Sequence, residues 1–201
     1  MQYLDLVAQA ADWHLLSVLF ESPRPGWAEQ ISELASKTTD EELKMAAASA
    51  CAEASETLYW TVFGPGGPTA PREVSYRPSV QPGQFLSQLE FFYEVFAFHP
   101  QENEAPDHIA VLCSFMSFLR LKEAYAVANE NSADAKMCHA AAARLLEEHI
   151  SYIAEPLSVL LGASGLKYLE KTGLGLYQRV GPSHVADTVR LEVLEETPSC
   201  A

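Results

Sequence analysis

The sequence predicts an all-α protein built as a single compact bundle of helices. Apolar residues recur at three- and four-residue spacing along almost the whole chain, which is the period of an amphipathic helix. The periodic segments are separated by breaks rich in proline and glycine, which disfavour regular helix. With 201 residues, 48% of them hydrophobic, the chain can bury a substantial core. We therefore expect one domain or two tightly joined lobes.

Three helices are predicted before the first long break. One apolar stripe marks the first helix: Leu4, Ala8, Ala11, Leu15, Val18 and Leu19. A turn at residues 23–26 precedes a short helix at residues 27–35. Thr39 and Glu42 have the spacing of a capping box, in which hydroxyl and carboxylate bind exposed backbone N–H groups. An alanine-rich helix should run from there to about Phe63.

Residues 64–83 form one long predicted loop, followed by a helix that is apolar on more than one face. The loop contains five prolines and four glycines, and loops of this length in compact domains usually bind something or are disordered. The helix has one apolar stripe: Phe85, Leu86, Leu89, Phe92, Tyr93 and Phe96. Phe91, Val95 and Phe98 add apolar surface elsewhere, so this helix is either central or exposes a groove.

A second break, at residues 99–106, includes Glu102 and Glu104 and leaves open a hinge between two helical lobes. The helix that follows has Ile109, Leu112, Met116 and Leu119 on one face and further apolar residues on another. These two faces predict the buried spine of the fold.

The remaining helices are predicted from similar breaks. One should cover residues 133–154, and the next should run from Pro156 to Gly173, because proline suits a first helical turn and glycine a helix end. A last helix is expected at residues 183–194. We take residues 1–196 as the domain and residues 197–201 as a flexible tail.

The net charge of −14 makes nonspecific binding to nucleic acid or anionic lipid unfavourable, because such binding requires clustered lysine and arginine. A basic ligand would complement this charge, although acidity is equally explained by solubility. The N-terminus lacks the basic and apolar regions of a secretion signal, and no apolar run approaches the roughly 20 residues of a membrane span. We therefore expect a cytoplasmic protein without stable membrane insertion.

Pro106, Asp107 and His108 stand where a helix begins. An aspartate at this position can cap the helix by accepting hydrogen bonds from its first N–H groups, which would explain the motif structurally. A carboxylate beside an imidazole can also bind cationic or polar peptide groups, or act as an acid–base pair. The chain has no Gly-x-Ser-x-Gly elbow and no His-Glu-x-x-His motif, so we do not predict an enzyme.

Three motifs in this order resemble the TorD/DmsD/NarJ family of redox-enzyme maturation chaperones: Tyr59 with Phe63-Gly64-Pro65, Glu73-Val74-Ser75-Tyr76, and Pro106-Asp107-His108. The resemblance implies a TorD-like helical bundle without a cofactor. It implies a cytoplasmic chaperone that binds the N-terminal leader, a twin-arginine signal, of a molybdenum-cofactor oxidoreductase. The chaperone would assist folding, cofactor insertion and export or assembly of the apo-form of that catalytic subunit. The client stays open, as does the choice between a monomer and an exchanged dimer.

The resemblance also suggests which residues bind the peptide. The predicted peptide-binding residues are Pro106, Asp107, His108, Tyr76 and Glu73, with Glu102 and Glu104 as acidic groups that meet the arginines of the leader. Tyr59 and Phe63 are expected to pack in the core, and Gly64 and Gly66 to let the chain turn. His149 is expected to be a core histidine with a satisfied ring. Under this hypothesis, Asp107→Ala should weaken leader binding by more than it lowers stability.

Three alternatives remain. A guanine nucleotide or the molybdenum cofactor could bind, although residues 64–67 lack the Gly-Lys-Ser/Thr of a phosphate loop. A metal could bind His108 with Cys113, or Cys138 with His139, although these spacings match no standard finger and the four cysteines form no Cys-x-x-Cys pair. The third alternative is a helical adaptor that ignores twin-arginine leaders.

Overall fold

A computed structural model describes residues 2–100 and 104–182. Its α-helices are α1 (Gln2–Leu19), α2 (Trp27–Ala35), α3 (Glu41–Glu53), α4 (Glu56–Phe63), α5 (Pro82–Val95), α6 (Ile109–Ala128), α7 (Ser132–Leu145), α8 (Ser151–Gly162) and α9 (Lys167–Val180). A 3₁₀ turn (Glu73–Tyr76) lies in the long loop, and a π segment (Leu146–Ile150) joins α7 to α8. No strand occurs in these two ranges, so the all-α prediction is confirmed.

Helix α6 is the spine of the bundle, as the sequence predicted. It packs against α1 on one side and against α7 on another. Most of its side chains are buried, including those of Ile109, Leu112, Phe115 and Leu119. Helix α9 packs against α8 and α3, and α2 packs against α1 and α3. Because α6 is covered from more than one direction, it needs apolar residues on more than one face.

The helix predicted from residue 39 to 63 is two helices. Asp40, rather than Thr39, is the N-cap of α3, and its carboxylate accepts a hydrogen bond of 3.0 Å from the Leu43 N–H. The chain then leaves helical geometry at Ala54, whose ψ is 141°. Ser55 caps α4, so one short polar side chain restarts a helix inside an alanine-rich stretch.

The helix break predicted at Pro156 does not occur. Helix α7, the π segment and α8 follow one another without a loop, and Pro156 lies inside α8. Proline there removes one backbone donor. The buried neighbours Ile153, Ala154 and Leu157 pack in the core, and this packing outweighs the local preference of proline for a helix start.

Gly173 does not end a helix, because α9 continues to Val180. A side chain at Gly173 would place its Cβ 3.1 Å from the Ser158 Cα, and one at Gly175 would lie 3.0 Å from a Leu43 methyl group. These glycines therefore let α9 approach α8 and α3 closely. The turn before α9 instead lies at Gly165, which has a φ of 76°.

Several predictions fall outside the described residues: the helix at 183–194, the tail at 197–201, Glu102 and the middle of the 99–106 break. The boundaries of a 1–196 domain therefore stay a prediction. Among the helices of the described ranges, none combines the length and apolar character that a membrane span needs.

Candidate functional site

The second and third sequence motifs are joined by backbone hydrogen bonds in the structure. The Glu73 N–H donates to the Asp107 carbonyl at 3.0 Å, and the Ile109 N–H donates to the Pro71 carbonyl at 2.8 Å. These bonds make a short antiparallel bridge between the long loop and the start of α6. The loop is therefore fixed to the spine of the bundle at the motif itself.

Asp107 fastens this loop and does not cap α6. The side chain is fully buried, and its Oδ1 lies 2.8 Å from both Nε and a terminal nitrogen of Arg72. Its Oδ2 accepts a hydrogen bond of 3.0 Å from the Val74 N–H. The alternative explanation, in which Asp107 caps the helix, is therefore wrong: His108 is the N-cap, and its Nδ1 accepts a hydrogen bond of 3.2 Å from the Ala110 N–H.

His108 is buried as a neutral imidazole. Because Nδ1 accepts a hydrogen bond, Nε2 carries the proton, and it lies 3.3 Å from the Tyr59 hydroxyl. That hydroxyl is 3.3 Å from the Phe20 carbonyl, to which it donates. Glu104 lies 3.9 Å from Nε2. Burial, assisted by the positive charge of Arg72, lowers the pKa of His108 to about 4.

The buried imidazole makes stability dependent on pH. Its pKa in the folded state lies below the 6.5 of an exposed histidine, so the unfolded chain takes up the proton first as the pH falls. We expect the free energy of unfolding to fall by about 2 kcal/mol from this residue between pH 7 and pH 5. Urea unfolding across this range should show the loss in the native protein. His108→Asn, which can also cap a helix, should abolish most of it; an equal loss in the variant would contradict the assignment.

Glu73 joins the 3₁₀ turn to the π segment. Its carboxylate is fully buried, pairs with the Arg77 guanidinium at 2.5 Å and lies 3.1 Å from Nδ1 of His149. The Arg77 guanidinium also donates to the Glu148 carbonyl and stacks 3.5 Å from the centre of the Tyr152 ring. His149 is mostly buried with its Nδ1 at this carboxylate, in agreement with the expected core histidine.

An open groove of about 1260 Å³ lies next to this cluster, between α5 and the α7–α8 side of the bundle. We call it the α5–α7 groove. Its apolar lining residues are Val80, Phe85, Phe91, Phe92, Val95, Phe96, Met137, Ala140, Ala141 and Tyr152. Phe91, Val95 and Met137 are 66%, 58% and 53% exposed. Its charged lining residues are Arg77, Arg144, Glu147 and Glu148.

Helix α5 was predicted either to be central or to expose a groove. This helix buries Phe85, Leu89, Tyr93 and Phe96 of its first stripe but leaves Phe91 and Val95 at the surface, so it exposes a groove. The helix ends at Val95 rather than Phe98, because Ala97 adopts a left-handed φ of 54°. Phe98 turns inward and packs 4.9 Å from the ring of Phe115.

The other predicted peptide-binding residues lie in the same region. The Pro106 carbonyl accepts a hydrogen bond of 2.7 Å from the Tyr93 hydroxyl, and the Tyr76 hydroxyl donates to the Ala70 carbonyl at 2.8 Å. Glu104 lies beside His108, and Glu102 is outside the described residues. Direct peptide contact by any of them stays a prediction.

The first motif forms a packed corner at the end of α4. Tyr59 and Phe63 are buried, with ring centres 4.9 Å apart. Gly66 has a φ of 82°, in the left-handed region that favours glycine. Gly64 has an ordinary φ, but a Cβ there would lie 2.3 Å from the Trp60 carbonyl oxygen. The glycine thus permits a close backbone approach.

Arg72, Arg77 and Met137 were missed at the sequence level. Arg77 follows Glu73 by four residues, a spacing that allows an ion pair on one helical face, and this was an available signal. Met137 lies on α7 and lines the groove, and it is 42 positions after Val95 in the sequence. No local pattern connects those two positions.

The metal alternatives are not supported by the described residues. His108 uses both ring nitrogens toward protein groups, Cys113 is fully buried, and His139 lies 3.0 Å from Glu123. No group of three or more histidine, cysteine, aspartate or glutamate side chains in the described ranges is arranged to hold a metal ion.

A family model described as nitrate reductase delta subunit matches residues 22–156, which is more than half of the chain. The matched range contains the three motifs, α5, α7 and the π segment. None of the curated proteins matches the chain.

Proposed function

Since the chain belongs to the nitrate reductase delta subunit family, which is the NarJ/TorD type of molybdoenzyme maturation chaperones, we propose that it binds a client segment in the α5–α7 groove. The client is the apo-form of a molybdenum-cofactor catalytic subunit, and the segment is its N-terminal leader. The family consists of assembly factors rather than catalytic enzymes, which confirms the prediction of a protein that is not an enzyme.

The exposed apolar side chains of the groove carry this proposal. Phe91 and Val95 of α5 and Met137 of α7 line the same open groove, and each exposes more than half of its surface. Contiguous exposed apolar surface on a protein of this size usually marks an interaction site. A helical or extended client segment would bury these side chains, and the apolar area removed from water would stabilise the complex.

The buried motif residues support the groove in this proposal. Glu73 holds Arg77 and His149, both of which line the groove, and Asp107 holds the loop that carries Glu73. Two fully buried carboxylates with such bonds need not touch the client. Their role is to fix the position of one wall, which keeps the site organised before binding.

Binding would occur in the cytoplasm and end when the cofactor is in place. Because the leader orders as it binds, part of the interaction energy is spent on ordering, and affinity is moderate for the area buried. Release then needs no nucleotide hydrolysis. The chaperone acts as a monomer or an exchanged dimer, and size-exclusion chromatography distinguishes the two.

Affinity capture from native cells grown under anaerobic respiration tests the function. The tagged chain should co-purify with a molybdoenzyme precursor that still carries its N-terminal leader, identified by mass spectrometry. Reproducible capture of an unrelated protein, with no such precursor although it is expressed, would favour the adaptor and contradict the chaperone proposal.

Carboxylates introduced into the groove should weaken client binding without unfolding the protein. We expect Phe91→Glu combined with Met137→Glu to reduce capture more than tenfold, because each carboxylate would be desolvated against the apolar segment. Both side chains are exposed, so the urea midpoint should change little. Val159→Glu is the matched control, since Val159 is 69% exposed on α8 outside the groove. Undiminished capture by the double variant would place the client elsewhere.

A further inference from the structure

The charged residues of the α5–α7 groove do not all have a neutralising partner. The groove is lined by Arg77, Arg144, Glu147 and Glu148. Arg77 is paired with the buried Glu73, and the Nε of Arg144 lies 2.7 Å from Oε2 of Glu148. Glu147 is exposed and has no ion pair among the described residues. One negative charge is therefore left over among the charged residues that line the groove.

We propose that Glu147 is the specificity-determining residue of the groove and binds a lysine or arginine side chain of the client segment. This inference rests on the proposed function, because it names the contact that selects the client at the same site. A carboxylate and a cation at the edge of an apolar interface form a charge-assisted hydrogen bond, and its main effect is on the choice of ligand. The net charge of −14 also favours the approach of a cationic segment.

The position of Glu147 sets where the cation must lie on the client. Met137 and Glu147 both line the groove, and they are ten residues apart along α7 and the π segment. At a helical rise of 1.5 Å per residue this is about 15 Å. A client segment that buries an apolar side chain against Met137 would thus place its basic residue about 15 Å away, beside Glu147.

An acidic client residue bound by Arg144 is the opposite assignment. It fits the structure less well, because Arg144 is already paired with Glu148 and its guanidinium lies 5.2 Å from the centre of the Phe92 ring. A client carboxylate bound by Arg144 would be the third negative charge at this place, beside those of Glu147 and Glu148. Like charges placed side by side destabilise a complex.

Charge reversal on both sides of the contact tests the proposal. The probe is a fluorescently labelled synthetic peptide of the N-terminal residues of the catalytic subunit that co-purifies with the chain, and anisotropy gives its Kd. We expect Glu147→Lys to weaken binding about tenfold and Glu147→Gln about threefold. A peptide in which one basic residue is replaced by glutamate should bind Glu147→Lys within about threefold of the native pair. Glu90→Lys, an exposed position on α5 outside the groove lining, is the control with the same charge change.

The outcomes separate this inference from the proposed function. If Glu147→Lys binds the peptide as the native protein does, while Phe91→Glu with Met137→Glu does not bind it, the inference is wrong and the groove is still the site. If neither variant affects peptide binding, the proposed function at the groove is wrong as well. If peptide binding is restored only when Arg144→Glu is combined with a peptide in which an acidic residue is replaced by lysine, Arg144 binds an acidic client residue and the inference is overturned.

Discussion

Replacing Glu73 with alanine is expected to lower the free energy of unfolding by about 4 kcal/mol, because it would leave two partners in the interior without their carboxylate. The carboxylate is fully buried between Arg77 and His149, at 2.5 Å and 3.1 Å. The Arg77 side chain is only 14% exposed, so water cannot replace the lost carboxylate easily. Urea unfolding at pH 7, followed by circular dichroism, measures the change.

Two further variants separate the pair from the packing around it. Glu73→Ala combined with Arg77→Met should recover part of the loss, because it removes the uncompensated charge and keeps an apolar stem over the Tyr152 ring. Glu90→Ala removes a carboxylate at the surface of α5 and should change stability by less than about 0.5 kcal/mol. A loss below about 1 kcal/mol for Glu73→Ala would mean that the buried pair contributes little beyond its own desolvation.

Helix positions followed from the sequence wherever local signals decide them. The ends of α2 agree with the predicted range because a turn before it and the end of its apolar period both mark them. Local signals failed at Pro156 and Gly173, where packing decides the conformation. Proline and glycine usually end helices, but here the buried face of α8 and the close approach of α9 to Ser158 outweigh that preference.

The groove was predictable only in part. Phe91 and Val95 lie off the main stripe of α5, so apolar surface at a groove could be read from the sequence. The opposite wall, with Met137, comes from a helix that no local pattern ties to α5. The role of Glu73 was equally hidden, because its burial depends on His149, which lies 76 positions further along the chain.

Asp107→Ala is expected to lower the free energy of unfolding by about 3 kcal/mol, with a smaller effect on client binding than the groove variants have. The substitution removes both bonds to Arg72 and leaves the Val74 N–H without its acceptor. Arg72 is 39% exposed, so water can solvate its charge, and the loss should be smaller than for Glu73→Ala. Urea unfolding measures stability, and hydrogen exchange of the Val74 amide reports the release of the loop.

The ratio of the two losses decides what Asp107 does. If Asp107 only holds the loop, the Asp107→Ala variant should lose stability and hydrogen-exchange protection at Val74 together. The folded fraction of the variant should then bind the client within about threefold of the native affinity. If Asp107 contacts the client, as the motif resemblance suggested, the variant should instead lose more client-binding affinity than stability. Asp134→Ala controls for the charge: this exposed carboxylate accepts a hydrogen bond of 2.7 Å from Asn131 in the first turn of α7, so its loss should cost no more than about 1 kcal/mol and leave client binding unchanged. Since Asp107 is fully buried, we expect the first result, in which the Pro-Asp-His motif stabilises the loop that carries Glu73 and the client is bound at the groove beside it.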